Sequence, residues 1–156
     1  MMTIDVPGWE SITIDNVVLD LNGTIATDGK ISADVKEKIK SLSQKVKVYI
    51  LTADSQGTAS DESKDIGIEL VKIPNEDSKN KKFEFLKNLK LERTIVVGNG
   101  NNDQLILRES TLGIAVLGDE GLASSALKNA DILVKNISDA LDLFLKPNRL
   151  IATLME

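Results

Sequence analysis

The chain has 156 residues, about the length at which one domain buries roughly 70% of the surface its unfolded chain exposes. Hydrophobic residues make up 42% and charged residues 28%, the values of an ordinary globular chain and not of a disordered one. Cys and His are both absent, which excludes disulfide frameworks, Cys/His zinc sites, cysteine nucleophiles and Ser-His-Asp triads.

Chemistry therefore falls to Asp, Glu, Lys, Ser, Thr, Asn, backbone amides and a hard metal ion. A balance of 19 basic to 24 acidic residues gives a net charge of −5, which argues against nucleic acid as a partner. No run approaches the roughly 20 apolar residues of a membrane-spanning helix. The opening MMTIDVPGWE carries neither a basic leader nor an apolar signal core, so a cytoplasmic protein without a membrane segment is expected.

The first residues read as a hairpin. Ile4 and Val6 alternate with polar neighbours, Pro7-Gly8 supplies a turn, and Trp9, Ile12 and Ile14 lead into the next run. Val17-Val18-Leu19 is a short unbroken apolar segment, the pattern of a strand buried on both faces, and it ends at Asp20-Leu21-Asn22-Gly23-Thr24. Asp28-Gly29 marks a further turn. A helix follows, with Ser32 as its N-cap and Val35, Ile39 and Leu42 on one face. Val46 to Leu51 predicts a second buried strand, stopping at Thr52-Ala53-Asp54. A short polar helix is expected between Ser55 and Ser63, and a brief strand from Ile68 to Ile73 ends at Pro74.

Lys79 to Leu89 has helical spacing, with Phe85 and Leu89 one turn apart. Thr94-Ile95-Val96-Val97 is the clearest buried strand and runs into Gly98-Asn99-Gly100-Asn101-Asn102-Asp103. Helix Asp103–Glu109, strand Leu112–Val116, helix Gly121–Asn129, strand Ile132–Val134 and helix Ile137–Leu145 complete the series, and Pro147 is expected to close it. Such alternation predicts an α/β fold: a doubly wound, mostly parallel, Rossmann-like sheet with helices on both faces, an N-terminal β-hairpin and no cap. Residues 1–156 are expected to form one domain.

In such sheets, ligands gather outside the carboxyl ends of the strands. Polar clusters fall just after the three best strands, at Asp20 to Thr24, Thr52 to Asp54 and Gly98 to Asp103. Asp20 is placed as a nucleophile on a tight turn whose amides meet an incoming anion; the bland alternative is an Asx turn that starts the loop. Asp103, near the start of a helix, either answers the helix dipole or, with Asp20, makes an all-oxygen site suited to magnesium.

The ordered set VVLDLNGT, YILTAD, a helical Lys and IVVGNGNND resembles the haloacid dehalogenase (HAD) superfamily of phosphohydrolases. More narrowly it resembles the soluble relatives of the P-type ATPase phosphorylation domain. Asp20-x-x-Gly23-Thr24 keeps the spacing of the ATPase motif DKTGT, and GNGNND is similar to its GDGxND. The resemblance implies that Asp20 attacks phosphorus and becomes an aspartyl phosphate. Thr52 would hydrogen-bond the phosphoryl oxygens and Lys82 would neutralise them, with Lys79 and Lys81 as rivals. Gly23, Ala53 and Asn102 would complete the phosphate-binding set. Magnesium would be held by Asp103, Asp20 and the main-chain carbonyl of Asn22, with Asn99 beside it.

Two positions depart from the family pattern. Asn22 stands where HAD phosphatases carry a second Asp as general acid and base, help worth about 10²–10⁴-fold. Asn99 stands where an Asp near the metal is usual, so less negative charge surrounds the cation. The resemblance therefore implies a magnesium-dependent phosphohydrolase, phosphatase-like or ATPase-like. The alternative is a degenerate, weakly catalytic or non-catalytic phosphate-binding domain. Expected partners are a phosphorylated small molecule, ATP or a phosphorylated macromolecule.

Only residues 25 to 51 separate Thr24 from Thr52, and residues 53 to 81 separate Thr52 from Lys82, too short for a cap or a nucleotide-binding domain. The site should be open unless a second copy in a homo-oligomer covers it. Leu150, Ile151 and Leu154 are candidates for such contacts, with core packing as their ordinary use. Rival motifs fail. Gly98-x-Gly100 lacks the third glycine of a dinucleotide fingerprint, having Asp103 instead, and Gly113 to Gly118 is followed by Asp119-Glu120 where a P-loop needs Lys-Ser/Thr. Asp20-x-Asn22-x-Thr24 starts like a calcium loop, but Ile25 and Ile31 occupy the Gly and Glu positions.

Overall fold

The chain opens with β1 (Met2–Ile4) and β2 (Ile12–Ile14), an antiparallel pair in which Ile4 faces Ile12, joined through the Pro7-Gly8 turn. Then come β3 (Asn16–Asp20), α1 (Ala33–Ser43), β4 (Lys47–Thr52), β5 (Glu69–Lys72) and α2 (Ser78–Leu86). The second half runs β6 (Thr94–Gly98), α3 (Gln104–Glu109), β7 (Leu112–Val116), α4 (Ser124–Asn129), β8 (Ile132–Val134), α5 (Ile137–Leu145) and α6 (Pro147–Leu154). This is a computed structural model that describes residues 1–53 and 66–156. The polar helix expected between Ser55 and Ser63 lies outside the described residues.

Six strands form one sheet in the order β5-β4-β3-β6-β7-β8, and every neighbouring pair is parallel. Period-2 alternation assigns each strand residue to a face. Val17, Leu19, Ile50, Ile95 and Val97 point into the core beneath α1, α5, α6 and the hairpin. Val18, Tyr49, Leu51 and Val96 point to the opposite core, beneath α2, α3 and α4. Because both faces are covered, these strands read as unbroken apolar runs.

Local chemistry sets the helix ends. The Ser32 hydroxyl accepts from the Val35 N–H at 3.3 Å to start α1, and the Asn136 side chain accepts from the Asp139 N–H at 2.9 Å to start α5. The expectation that Pro147 closes the chain's regular structure is corrected. Pro147 opens α6, because its missing N–H costs nothing in the first turn and its fixed φ suits a helix. Leu150 and Leu154 then pack into the chain's own core, with Ile151 against it. Asp142 fastens α1 to α5 and α6: it is buried and lies 3.1 Å from Lys38, 3.1 Å from Arg149 and 3.7 Å from Lys146. Burial alone would raise its carboxyl, but Lys38, Lys146 and Arg149 hold it below the ordinary range.

The topology creates one crevice. From β3 the chain builds outward through β4 and β5, then returns to the other side of β3 and builds outward again through β6, β7 and β8. The connections leaving β3 and β6 therefore diverge, and a gap opens at their carboxyl ends. Asp20 ends β3, and Asn99 follows β6.

Candidate active site

Asp20 sits in this gap with its side chain 12% exposed. Lys82, buried on α2, reaches across from the other side. Its ammonium donates to Asp20 Oδ1 at 3.0 Å, to Asp103 Oδ1 at 2.7 Å and to Asn102 Oδ1 at 2.9 Å. All three ammonium hydrogens are thus accounted for. Helical periodicity explains the choice of lysine. Lys82 lies on the same face as Leu86, which is fully buried, whereas Lys81 pairs with Glu84 and Lys79 is exposed.

Asp103 is closed to solvent, and both of its oxygens are engaged. Its Oδ1 takes Lys82, and its Oδ2 accepts from the N–H groups of Asn99 at 3.1 Å and Gly100 at 3.0 Å. A short 3₁₀ turn over Asn101–Asp103 aims it back at the loop that precedes it. Gly98 is needed here, because a Cβ on it would stand 2.6 Å from Asp103 Oδ2.

The Asp20 loop is held from behind. The Thr24 hydroxyl, 5% exposed, lies 3.3 Å from Asp20 Oδ2 and 3.1 Å from Asn99 Oδ1 and shares its single hydrogen between the two acceptors. The Asn99 amide then donates to the Gly121 carbonyl at 3.1 Å, so both of its polar ends have partners. Gly23 has a φ of +77°, and a Cβ there would lie 2.4 Å from Asn99 Nδ2. Two neighbours complete the frame: Thr52, buried at the end of β4, and Ser78, whose hydroxyl accepts from Asn102 Nδ2 at 3.0 Å. Asn22, Ala53, Asn99 and Asn102 line a hollow of about 440 Å³ beside Asp20.

The nine residues expected from the sequence thus fall at one end of the sheet, on the β3, β4 and β6 ends and α2. Thr24 and Ser78 were not assigned roles from the sequence. Thr24 had a signal, standing four residues after Asp20 in the glycine-turn motif. Ser78 had only its place one helical turn before Lys82. A larger cleft, about 540 Å³, lies across the Gly23–Lys30 loop and has none of these carboxylates in its wall.

The electrostatics follow from burial. Desolvation, reinforced by Asp103, pushes the Asp20 carboxyl up to about 7, against the pull of Lys82 and the Thr24 hydrogen bond. Burial alone would lower Lys82, but Asp20 and Asp103 hold it above its ordinary value. Two carboxylates facing one ammonium leave an excess negative charge. That donor set fits magnesium, which keeps several waters and takes one or two carboxylates together with substrate phosphate. Among the described residues no group of three or more His, Cys, Asp or Glu could form a closed cage.

No family model matches the chain. It is 34% identical over 136 residues to a soluble P-type ATPase-like phosphatase of Methanocaldococcus jannaschii, covering 85% of this chain and 50% of that protein. Its fold matches the crystal structure of 3-deoxy-D-manno-octulosonate 8-phosphate phosphatase from Moraxella catarrhalis, in complex with magnesium, phosphate and KDO. The TM-score is 0.72 at 17% identity, covering 91% of this chain and 94% of that one.

The chain has the HAD fold. A second HAD-fold neighbour is the cobalt-bound deoxy-D-mannose-octulosonate 8-phosphate phosphatase of Haemophilus influenzae, with a TM-score of 0.71 at 14% identity over 91% of this chain and 93% of that one. Similarity also extends to an uncharacterised M. jannaschii protein, 51% identical over 76 residues, which are 46% of this chain and 82% of that one. The chain spans half the length of the M. jannaschii phosphatase. Among the described residues no helix is long and apolar enough to cross a membrane.

Proposed function

We propose that the protein is a magnesium-dependent phosphohydrolase that works through an aspartyl phosphate on Asp20. One observation carries the reading: a largely buried carboxylate at a strand end, 3.0 Å from a buried lysine that also binds a second, fully buried carboxylate at 2.7 Å. An Asp20 oxygen attacks phosphorus, and the bond from phosphorus to the leaving oxygen breaks. Water then attacks the acyl phosphate and frees Asp20. Lys82 keeps its charge beside the developing phosphoryl negative charge, where burial strengthens the interaction. Thr24 holds Asp20 through Oδ2, and Lys82 stands at the other oxygen, Oδ1.

Bound magnesium would neutralise phosphoryl charge, held by Asp20, Asp103 and the Asn22 carbonyl. Asn22 supplies no proton, so the leaving group departs best when it is a weak base: an aryl phosphate, an acyl phosphate or the diphosphate end of ATP. Release of phosphate from such donors, with and without magnesium, tests the reading. Full activity in Asp20→Asn would sink it.

A second reading, a phosphate-binding domain with little turnover, is favoured by the amides at positions 22 and 99. It predicts phosphate binding without hydrolysis. A beryllium fluoride adduct trapped on Asp20 would count against it.

A further inference from the structure

Three hollows join end to end along α2 and α3. The one beside Asp20 shares Asn75, Ser78, Asn101 and Asn102 with a second of about 320 Å³. That one shares Lys79 and Gln104 with a third of about 280 Å³, which ends at Arg108. The result is an open groove leading away from the candidate nucleophile.

Two properties of the groove select its occupant. Amide side chains line its course, and no aromatic ring is among its lining residues: Tyr49 and Phe85 pack against each other instead, 5.4 Å apart. A nucleobase therefore finds no ring to stack on, while a flexible polar chain finds donors and acceptors. The second property is a change of sign. Two carboxylates face one ammonium at the Asp20 end, whereas Lys79 and Arg108 line the far hollow and, among the described residues, no carboxylate does. Asp77 stands in the middle hollow, and Arg108 shares its charge with Glu109 at 2.9 Å. Lys79 has no carboxylate partner among the described residues and is the stronger anchor.

Length sets the reach. Asn102 to Arg108 is six residues of mostly helical chain, about 9 Å at 1.5 Å per residue. We infer that this groove selects phosphate esters whose leaving group is an extended polar chain carrying a second anionic group about 10 Å from the scissile phosphate. The inference rests on the reading of Asp20 as the reacting group and adds the substrate class. Exposed ion pairs are individually weak, so a preference of about fivefold is expected, not an absolute requirement.

The test compares a linear six-carbon diol phosphorylated at one end with the same diol phosphorylated at both, using p-nitrophenyl phosphate as a compact control. The alkoxide leaving groups of the two diols are equally poor without a proton donor at Asn22, so their slow departure cancels in the ratio. Beyond the statistical factor of two for two equivalent ends, kcat/KM should favour the doubly phosphorylated diol about fivefold. The double variant Lys79→Ala/Arg108→Ala should lose that preference through KM and leave p-nitrophenyl phosphate turnover unchanged. Added salt should erase the preference in the same way.

Equal kcat/KM for the two diols in the wild type, or a preference that survives the double variant, overturns the groove. Calorimetric binding of both diols to Asp20→Asn separates this outcome from a failure of the nucleophile assignment. Equal Kd values overturn the groove, whereas phosphate release that persists in Asp20→Asn overturns the assignment.

Discussion

Lys82 and Asp103 meet at 2.7 Å with both side chains almost entirely removed from water, and the same ammonium holds Asp20 at 3.0 Å. A single lysine thus stabilises two carboxylates contributed by different crossover loops. Removing it leaves both charges uncompensated. Lys82→Met should cost about 3 kcal/mol in the presence of a chelator, the range for breaking a buried pair. Magnesium should restore more stability to this variant than it adds to the wild type. Urea melts with and without the ion provide the measurement.

The raised Asp20 carboxyl gives stability a pH dependence of known sign. With a folded value near 7 and an ordinary value of 3.8 in the unfolded chain, Asp20 favours the fold fully below about pH 4. That contribution is lost as pH rises through about 7. Asp20→Asn, which mimics the protonated form at every pH, should gain Tm over the chelated wild type as pH rises from 5 to 8. A difference that stays flat over this range would contradict the burial argument.

Asp142 has the opposite sign. Its carboxyl is held low by Lys38, Lys146 and Arg149, so its contribution is present above about pH 4 and is lost as the solution is acidified further. Asp142→Asn should lower Tm at pH 7 and bring wild type and variant together at low pH, read by thermal melts.

Gly23→Ala should destabilise the protein by about 1–3 kcal/mol, the cost of a strained backbone position. The variant has to hold a φ of +77° and move the Asn99 amide, which stands 2.4 Å from the new Cβ. Because Asn99 also bonds Thr24, the shift should reach Asp20 and lower kcat more than the stability loss explains. Turnover measured well below Tm separates the two effects.

Asn22→Asp places a proton donor in the wall of the hollow that contains Asp20. Turnover of alkyl phosphates, whose leaving groups need a proton, should rise at least tenfold, at the low end of general acid help. Aryl phosphates should gain less. A uniform gain, or none, would remove position 22 from proton transfer.

Asn99→Asp adds a carboxylate beside the proposed magnesium site but deletes the donor to the Gly121 carbonyl. Tighter magnesium binding by calorimetry should accompany about 1 kcal/mol of lost stability, the worth of one hydrogen bond.

Much of this was legible in the chain itself. The apolar runs at Val17–Leu19, Val46–Leu51 and Thr94–Val97 identify strands buried on both faces, since only a covered parallel sheet leaves no polar alternation. Their order, with Asp20, Thr52 and Asn99–Asp103 following them, locates the site because βαβ crossovers bring all their carboxyl ends to one edge. Helical spacing from Leu86 favours Lys82 over its neighbours. Those are local properties of periodicity and turn chemistry.

Other features needed three dimensions. That Asn99 has both its amide ends engaged, that Thr24 braces Asp20 from behind and that Ser78 orients Asn102 depend on contacts across 75, 4 and 24 residues of sequence. Pro147 marks a boundary in sequence, but only packing against the core decides whether a helix starts there. The raised Asp20 carboxyl is likewise invisible in sequence, because desolvation is a property of the atoms that surround a group and not of the group itself.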